Sequence, residues 1–230
     1  MRSVTLNLLL TAGIASLPAL AGAQRAYFPS TGSGDVTMQI TSIRQARVAG
    51  TVLQQFDFSC GSAAVATLLT HHYNVPISES AVFESMYLNG DQQKIKREGF
   101  SLLDMKTFLK SRGFEADGFE QPLDKLLEAR VPAIVLINEN GYHHFVVVKG
   151  LSRDRVLVGD PANGTRAMSR TKFESVWQSR LLFVVHNRME SARFNLAADW
   201  RAAPQAPLAA GVSRNGLAGV TMRARGPGDF

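Results

Sequence analysis

The chain has 230 residues, 45% of them hydrophobic, with 19 acidic and 25 Lys or Arg side chains and a net charge of +6. That composition excludes wholesale disorder, and 19 Gly without a Gly-X-Y period exclude a collagen-like fibre. One cysteine excludes an internal disulfide framework and any Cys-rich zinc or iron–sulfur site, and basic residues interleaved with acids argue against a nucleic-acid partner.

Residues 1–23 read as a cleavable export signal. Arg2 supplies the positive start, a Leu-rich run around Leu6 to Leu10 begins an apolar region, and Ala21-Gly22-Ala23 has the small-x-small form of a signal-peptidase site. Asn7, Thr11, Ser16 and Pro18 interrupt the run, which disfavours an anchor, and no later apolar run is long enough to span a bilayer. Residues 24–44 form a lead-in whose alternating segment 35–40 predicts a strand.

A domain follows over 45–188. Residues 61–72 predict a buried helix, 78–87 a second, and 101–112 an amphipathic third with Ser101 as N-cap, Asp104 in the first turn and Gly113 as the stop. A short helix over 122–129 opens with proline in its first turn. Strands are predicted over 133–137, 144–149, 155–158 and 181–185, with Gly150 and Ser152-Arg153-Asp154 turning between the second and third. A helix at about 171–178 precedes the last strand. Helices first and an antiparallel sheet later give an α+β class. From 189 to 230 the chain is rich in Ala, Gly, Pro and Arg, which predicts a flexible tail with one short helix near 195–201.

Three polar residues fall where apolar ones belong. Cys60 stands between a loop and a buried helix, where free N–H groups and the macrodipole favour an anion, and thiolate is the nucleophile. In an exported chain an unpaired thiol is a liability unless it is buried or used. His144 starts an apolar strand and has the chemistry to take the thiol proton; His143 points to the other face, so only one of the two faces Cys60. Asp160 ends the next strand, and a simple hairpin turning at Ser152 pairs it with His144, where a carboxylate fixes the imidazole. Asp160-Pro161 also serves as a turn initiator. Gln54, six residues before Cys60, is placed to donate to an oxyanion together with the Cys60 N–H, and Gln55 competes for that role.

The blocks Gln54…Cys60-Gly61-Ser62-Ala63-Ala64, His144-Phe145-Val146-Val147-Val148 and Gly159-Asp160-Pro161-Ala162 resemble the bacteriocin-processing, papain-like cysteine peptidases that cut after double-glycine leaders. The resemblance spans about residues 45–187. It implies a papain-like α+β fold with Cys60 as nucleophile, His144 as base, Asp160 as orienting carboxylate and Gln54 as oxyanion donor, and neither metal nor cofactor. The chain departs from the family in lacking a fused membrane exporter and in carrying Ser59 and Ser62 where an acidic residue and a proline are common. An export signal on a free-standing domain is similar to the exported peptidase of the functional-amyloid secretion system of pseudomonads. That likeness implies a periplasmic location, a secreted or amyloid-system polypeptide as substrate, and an outer-membrane secretion component as partner.

Two other functions fit the same residues: a non-catalytic module that binds a leader or subunit, and acyl transfer by the same triad. Metal binding fits worse, because His71-His72 and His143-His144 are adjacent pairs that do not converge on one ion.

Overall fold

The computed structural model describes residues 24–28 and 36–205, so the expected signal segment and the end of the tail lie outside the described residues. The chain divides into two units at Thr41. In the first, β1 (Gln24–Phe28) and β2 (Val36–Ile40) pair antiparallel, with Ala26 opposite Met38. The predicted strand at 35–40 is β2.

The second unit begins with α1 (Ile43–Ala49), which has a capping box of Ser42 and Gln45 and no buried residue. Without an apolar stripe it left no periodic signal in the sequence. Next comes α2 (Cys60–Thr67), which continues as a π-turn over Leu68–His72. Then follow α3 (Glu79–Asn89), α4 (Gln92–Glu98) and α5 (Leu102–Ser111). The α5 start is as predicted: the Ser101 hydroxyl accepts from Asp104 N, and the Asp104 side chain accepts from Ser101 N. Every residue of α2 is buried. Its run of Gly, Ala and Ser lets it lie close to its neighbours; a Cβ at Gly61 would sit 2.9 Å from Phe100 Cβ and from Met105 Cε.

The sheet has six antiparallel strands in the order β3-β8-β4-β5-β6-β7. They are β3 (Ala116–Glu120), β4 (Ala133–Glu139), β5 (Tyr142–Leu151), β6 (Arg155–Asp160), β7 (Gly164–Ser169) and β8 (Leu181–Val185). One core joins α2, α3 and α5 to Ile134, Phe145, Val147 and Phe183. The other lies across the sheet, where Phe173 and Trp177 meet Val135, Val146 and Val158. That second core is closed by α6 (Asp124–Ala129) and α7 (Arg170–Val176). A side chain as fully buried as Phe173 stabilises by about 1.5–3 kcal/mol.

Besides the unpredicted helices α1 and α4, the structure differs from the sequence reading at four places. Pro122 stands before α6 instead of within its first helical residues, although its carbonyl accepts from Lys125 N at 3.0 Å. The strands β3 and β7 were not predicted: ADGFE and GTRAMS lack the β-branched density that marked the others. The β5–β6 hairpin pairs Val147 with Gly159 and shifts register at a bulge between Val148 and Gly150, so His144 and Asp160 are not directly opposite. Finally, residues 189–205 are not a free tail. Arg193 N donates to His72 O and Asn195 N to Lys149 O, each at 2.8 Å, and α8 (Ala197–Trp200) follows, the short helix expected near 195–201. Buried Lys149 donates to Asp199 Oδ1 of α8 at 2.9 Å. Backbone pairing, that ion pair and isolated contacts such as Phe194 on the second core, not a periodic apolar face, tie the segment down.

Candidate active site

Cys60 is the first residue of α2, and no hydrogen bond from a side chain caps that helix. Ser59, the N-cap, turns its hydroxyl back to the loop, donating to Phe56 O at 3.0 Å and accepting from Phe56 N at 3.1 Å. The positive end of α2 therefore acts on the thiol instead of on a capping oxygen. Cys60 opens onto a cleft of about 470 Å³ whose walls include Phe58, Phe100, Leu136, Phe145 and Lys96. His143 lines the same cleft.

His144, at the start of β5, is 4% exposed and Asp160, at the end of β6, is 1% exposed. The His144 Nε2 to Asp160 Oδ1 distance is 2.8 Å. The contact predicted from sequence is therefore made, but by a different register: continued past Gly159, the ladder sets Asp160 opposite Val146, one diagonal step from His144 on the same face. Asp160 accepts from Ala162 N at 2.9 Å, Asn163 N at 3.2 Å, Asn163 Nδ2 at 3.1 Å and Arg166 Nε at 2.9 Å. Burial works against its charge, but the hydrogen bonds from His144 and Asn163 outweigh it and hold the carboxyl well below the usual carboxylate range.

An ionised Asp160 makes Nε2 of His144 a donor and leaves Nδ1 as the nitrogen that gains or loses the working proton. Nδ1 is buried and takes no hydrogen bond of conventional geometry. Burial alone would lower the imidazole's pKa; hydrogen bonding and charge from Asp160 and from Cys60 overcome it and raise the pKa to about 9. With Nε2 taken by Asp160, Nδ1 is the nitrogen left to the thiol. Tyr142 stacks on His144 with ring centroids 5.6 Å apart, and its hydroxyl donates to Asp57 O at 3.3 Å, pinning the loop before Cys60.

Gln54 is tied to both halves of the site. Its backbone N–H donates to Pro161 O at 2.9 Å and its side-chain Nε2 to Phe56 O at 3.0 Å. The rival Gln55 is exposed. Sequence reasoning missed Tyr142, Arg166 and Glu139. Tyr142 was legible, since strand alternation puts residues 142 and 144 on one face. Arg166 was hidden with its unpredicted strand. Among the described residues no three His, Cys, Asp or Glu side chains cluster so as to hold a metal.

Two buried histidines make stability depend on pH in opposite senses. The His72 pKa is lowered from 6.5 to about 4 by burial and by Lys149 nearby. Its contribution is therefore present above pH ~6.5 and lost as pH falls toward 4. His144, raised to about 9, contributes fully below ~6.5 and loses that contribution as pH rises through 9. Unfolding free energy should peak near pH ~6.5 and fall by about 3 kcal/mol on either side. Urea midpoints at acid, neutral and alkaline pH measure this; His144→Ala should remove the alkaline fall, and a midpoint flat up to pH ~9 would refute the assignment.

Residues 49–189 match the Peptidase C39 family. A Pseudomonas fluorescens protein named "probable functional amyloid protease FapD" is 37% identical over 215 residues, covering 94% of this chain and 91% of that one. Its namesake from Pseudomonas aeruginosa is 39% identical over 186 residues, covering 80% of each. The lactococcin-G-processing and transport ATP-binding protein LagD of Lactococcus lactis is 29% identical over 135 residues, which are 57% of this chain and 18% of LagD. The crystallised peptidase domain of Streptococcus ComA, a bifunctional ABC transporter, shares the fold with a TM-score of 0.50 at 23% identity, covering 59% of this chain and 97% of the domain. The family match takes in Cys60, His144 and Asp160 together, as well as the helices and the antiparallel sheet that carry them. This chain belongs to the Peptidase C39 family and is a cysteine peptidase.

Proposed function

We propose that the mature chain is a periplasmic thiol peptidase that cuts a secreted or amyloid-system polypeptide, after a Gly-Gly-type leader, by Cys–His–Asp catalysis. The observation that carries this reading is His144 held between Asp160, at 2.8 Å from Nε2, and the Cys60 thiol on its Nδ1 side. The Cys60 sulfur attacks the scissile carbonyl, and the oxyanion is received by the Cys60 N–H and the Gln54 amide. The His144 Nδ1 proton passes to the leaving amine, forming the acyl-enzyme. Water then gives a proton back to Nδ1 and its oxygen to the carbonyl, which releases the acid and regenerates the thiol. The names of the pseudomonad relatives support an amyloid-system substrate, and the family support a polypeptide one.

The test is incubation of the mature chain with the secreted polypeptides of its own cells, followed by mass spectrometry of the fragments. The expected result is one cut after a glycine pair, lost in Cys60→Ser. A fragment joined to an added amine would show acyl transfer instead. Binding without cleavage by a wild-type protein whose Cys60 still alkylates would establish the binding module. Fractionation of the producing cells places the protein; recovery with the cytoplasm would overturn the periplasmic assignment.

A further inference from the structure

Asp160 is held in place four times before Arg166 is counted, by His144 Nε2, Ala162 N, Asn163 N and Asn163 Nδ2. Arg166 nevertheless directs Nε to Asp160 Oδ2 at 2.9 Å and the other edge of its guanidinium to Glu139 Oε2 at 2.7 Å. A permanent cation of β7 thus bridges the triad carboxylate and a second carboxylate at the end of β4. Orientation of Asp160 does not require it. The charge does something else.

We infer that Arg166, counterweighted by Glu139, is a positioning residue that acts through Asp160 to set the pH at which His144 releases its proton. This rests on the catalytic reading of Cys60, His144 and Asp160. An imidazolium between a carboxylate and a thiolate would bind its proton too tightly to serve as a general acid near neutral pH. A cation on the far side of Asp160 draws on the same carboxylate and repels the imidazolium, which eases that grip. Glu139 opposes the effect by partly neutralising Arg166. The charged and titratable groups facing this set are Asp57 of the loop before α2, Cys60 of α2, Glu139 of β4, Tyr142 and His144 of β5, Asp160 of β6 and Arg166 of β7. Tyr142 contributes no charge in the working range, since burial and the Cys60 charge push its phenol above its ordinary value.

The chain has one cysteine, so alkylation reports on Cys60 alone. Thiolate displaces iodide from iodoacetate or iodoacetamide, forming one S–C bond. Only the anionic reagent is drawn by a protonated His144, and the ratio of the two rates therefore follows the imidazolium proton. In wild type that ratio should fall with a midpoint of about 9. Arg166→Met should move the midpoint up by about 0.5–1 pH unit and Arg166→Lys by under about 0.2, while Glu139→Gln should move it down. Opposite signs for the two neutralising variants are the signature, since a merely structural role would lower activity in all three without an ordered shift. Equal or absent shifts would overturn the inference. Should Arg166→Met fail to fold by circular dichroism, Glu139→Gln decides: no downward shift refutes it. A wild-type ratio indifferent to pH and to His144→Ala would instead overturn the catalytic reading itself.

Discussion

His144→Ala is expected to lower kcat for peptide cleavage by about 10⁴-fold, and Asp160→Asn by about 10²-fold, with KM changed little in either. The order follows from the bonds each side chain makes. On the proposed mechanism His144, alone among the described residues, carries a proton between the thiol and the leaving amine, and its loss also removes a cation beside the thiol. Asp160 acts one step back. As asparagine it would still fill the site, but without the anion the raised affinity of His144 for its proton collapses from about 9 toward the ordinary 6.5. The alkaline limb of the kcat profile should therefore shift acidward by about two pH units in Asp160→Asn. Progress curves for the fragment released by wild type, across pH 5 to 10, check both statements. An Asp160→Asn enzyme with an unmoved alkaline limb would mean that the 2.8 Å contact fixes geometry and not charge.

How much of this was legible before folding divides along physical lines. Cys60 could be found because a polar, reactive side chain interrupts an apolar pattern at a helix start, and that pattern is local. His144 and Asp160 could be brought together because two strands and a short turn limit where they meet. The register could not be read: the bulge between Val148 and Gly150 shifts the pairing, and Lys149 within it is fully buried with its ammonium on Gly50 O, Thr165 Oγ1 and Asp199 Oδ1. A buried lysine looks like a surface residue in a sequence, because its partners lie 16, 50 and 99 positions away. For the same reason residues 189–205 looked like tail. Their anchoring includes one ion pair, main-chain bonds from Arg193 and Asn195, the Asn195 amide on Leu151 O, Phe194 packed on the second core, and Arg155 stacked on Trp200 at 5.0 Å. None of these leaves an apolar period of 3.6 or 2.

Asp199→Ala should destabilise the protein by about 3–5 kcal/mol, whereas Lys149→Met should cost under about 2 kcal/mol. Asp199 is the only anion bonded to Lys149 among the described residues, and the lysine side chain is 0% exposed. Burial already disfavours its charge and lowers its pKa, with Asp199 supplying the compensation. Without that carboxylate a buried cation faces a carbonyl and a hydroxyl, and the fold must either bear the charge or give up the proton. Methionine at 149 carries no charge to compensate. It frees Asp199, whose side chain is 13% exposed and can take water, and loses mainly the bond to Gly50 O. The close fit at Gly50 works against any larger repair: a Cβ there would lie 2.7 Å from Lys149 Nζ and 2.8 Å from Asp199 Oδ1. In the double variant the cost should resemble that of Lys149→Met alone, since the second change no longer strands a charge. Urea unfolding of the four proteins at pH 7 measures the cycle. Single variants of equal cost would show that the pair serves shape and not charge. Gly50 immediately precedes the segment that runs to Gln54 and Cys60, so Asp199→Ala should also slow Cys60 alkylation, whereas Lys149→Met, with its apolar packing kept, should slow it less.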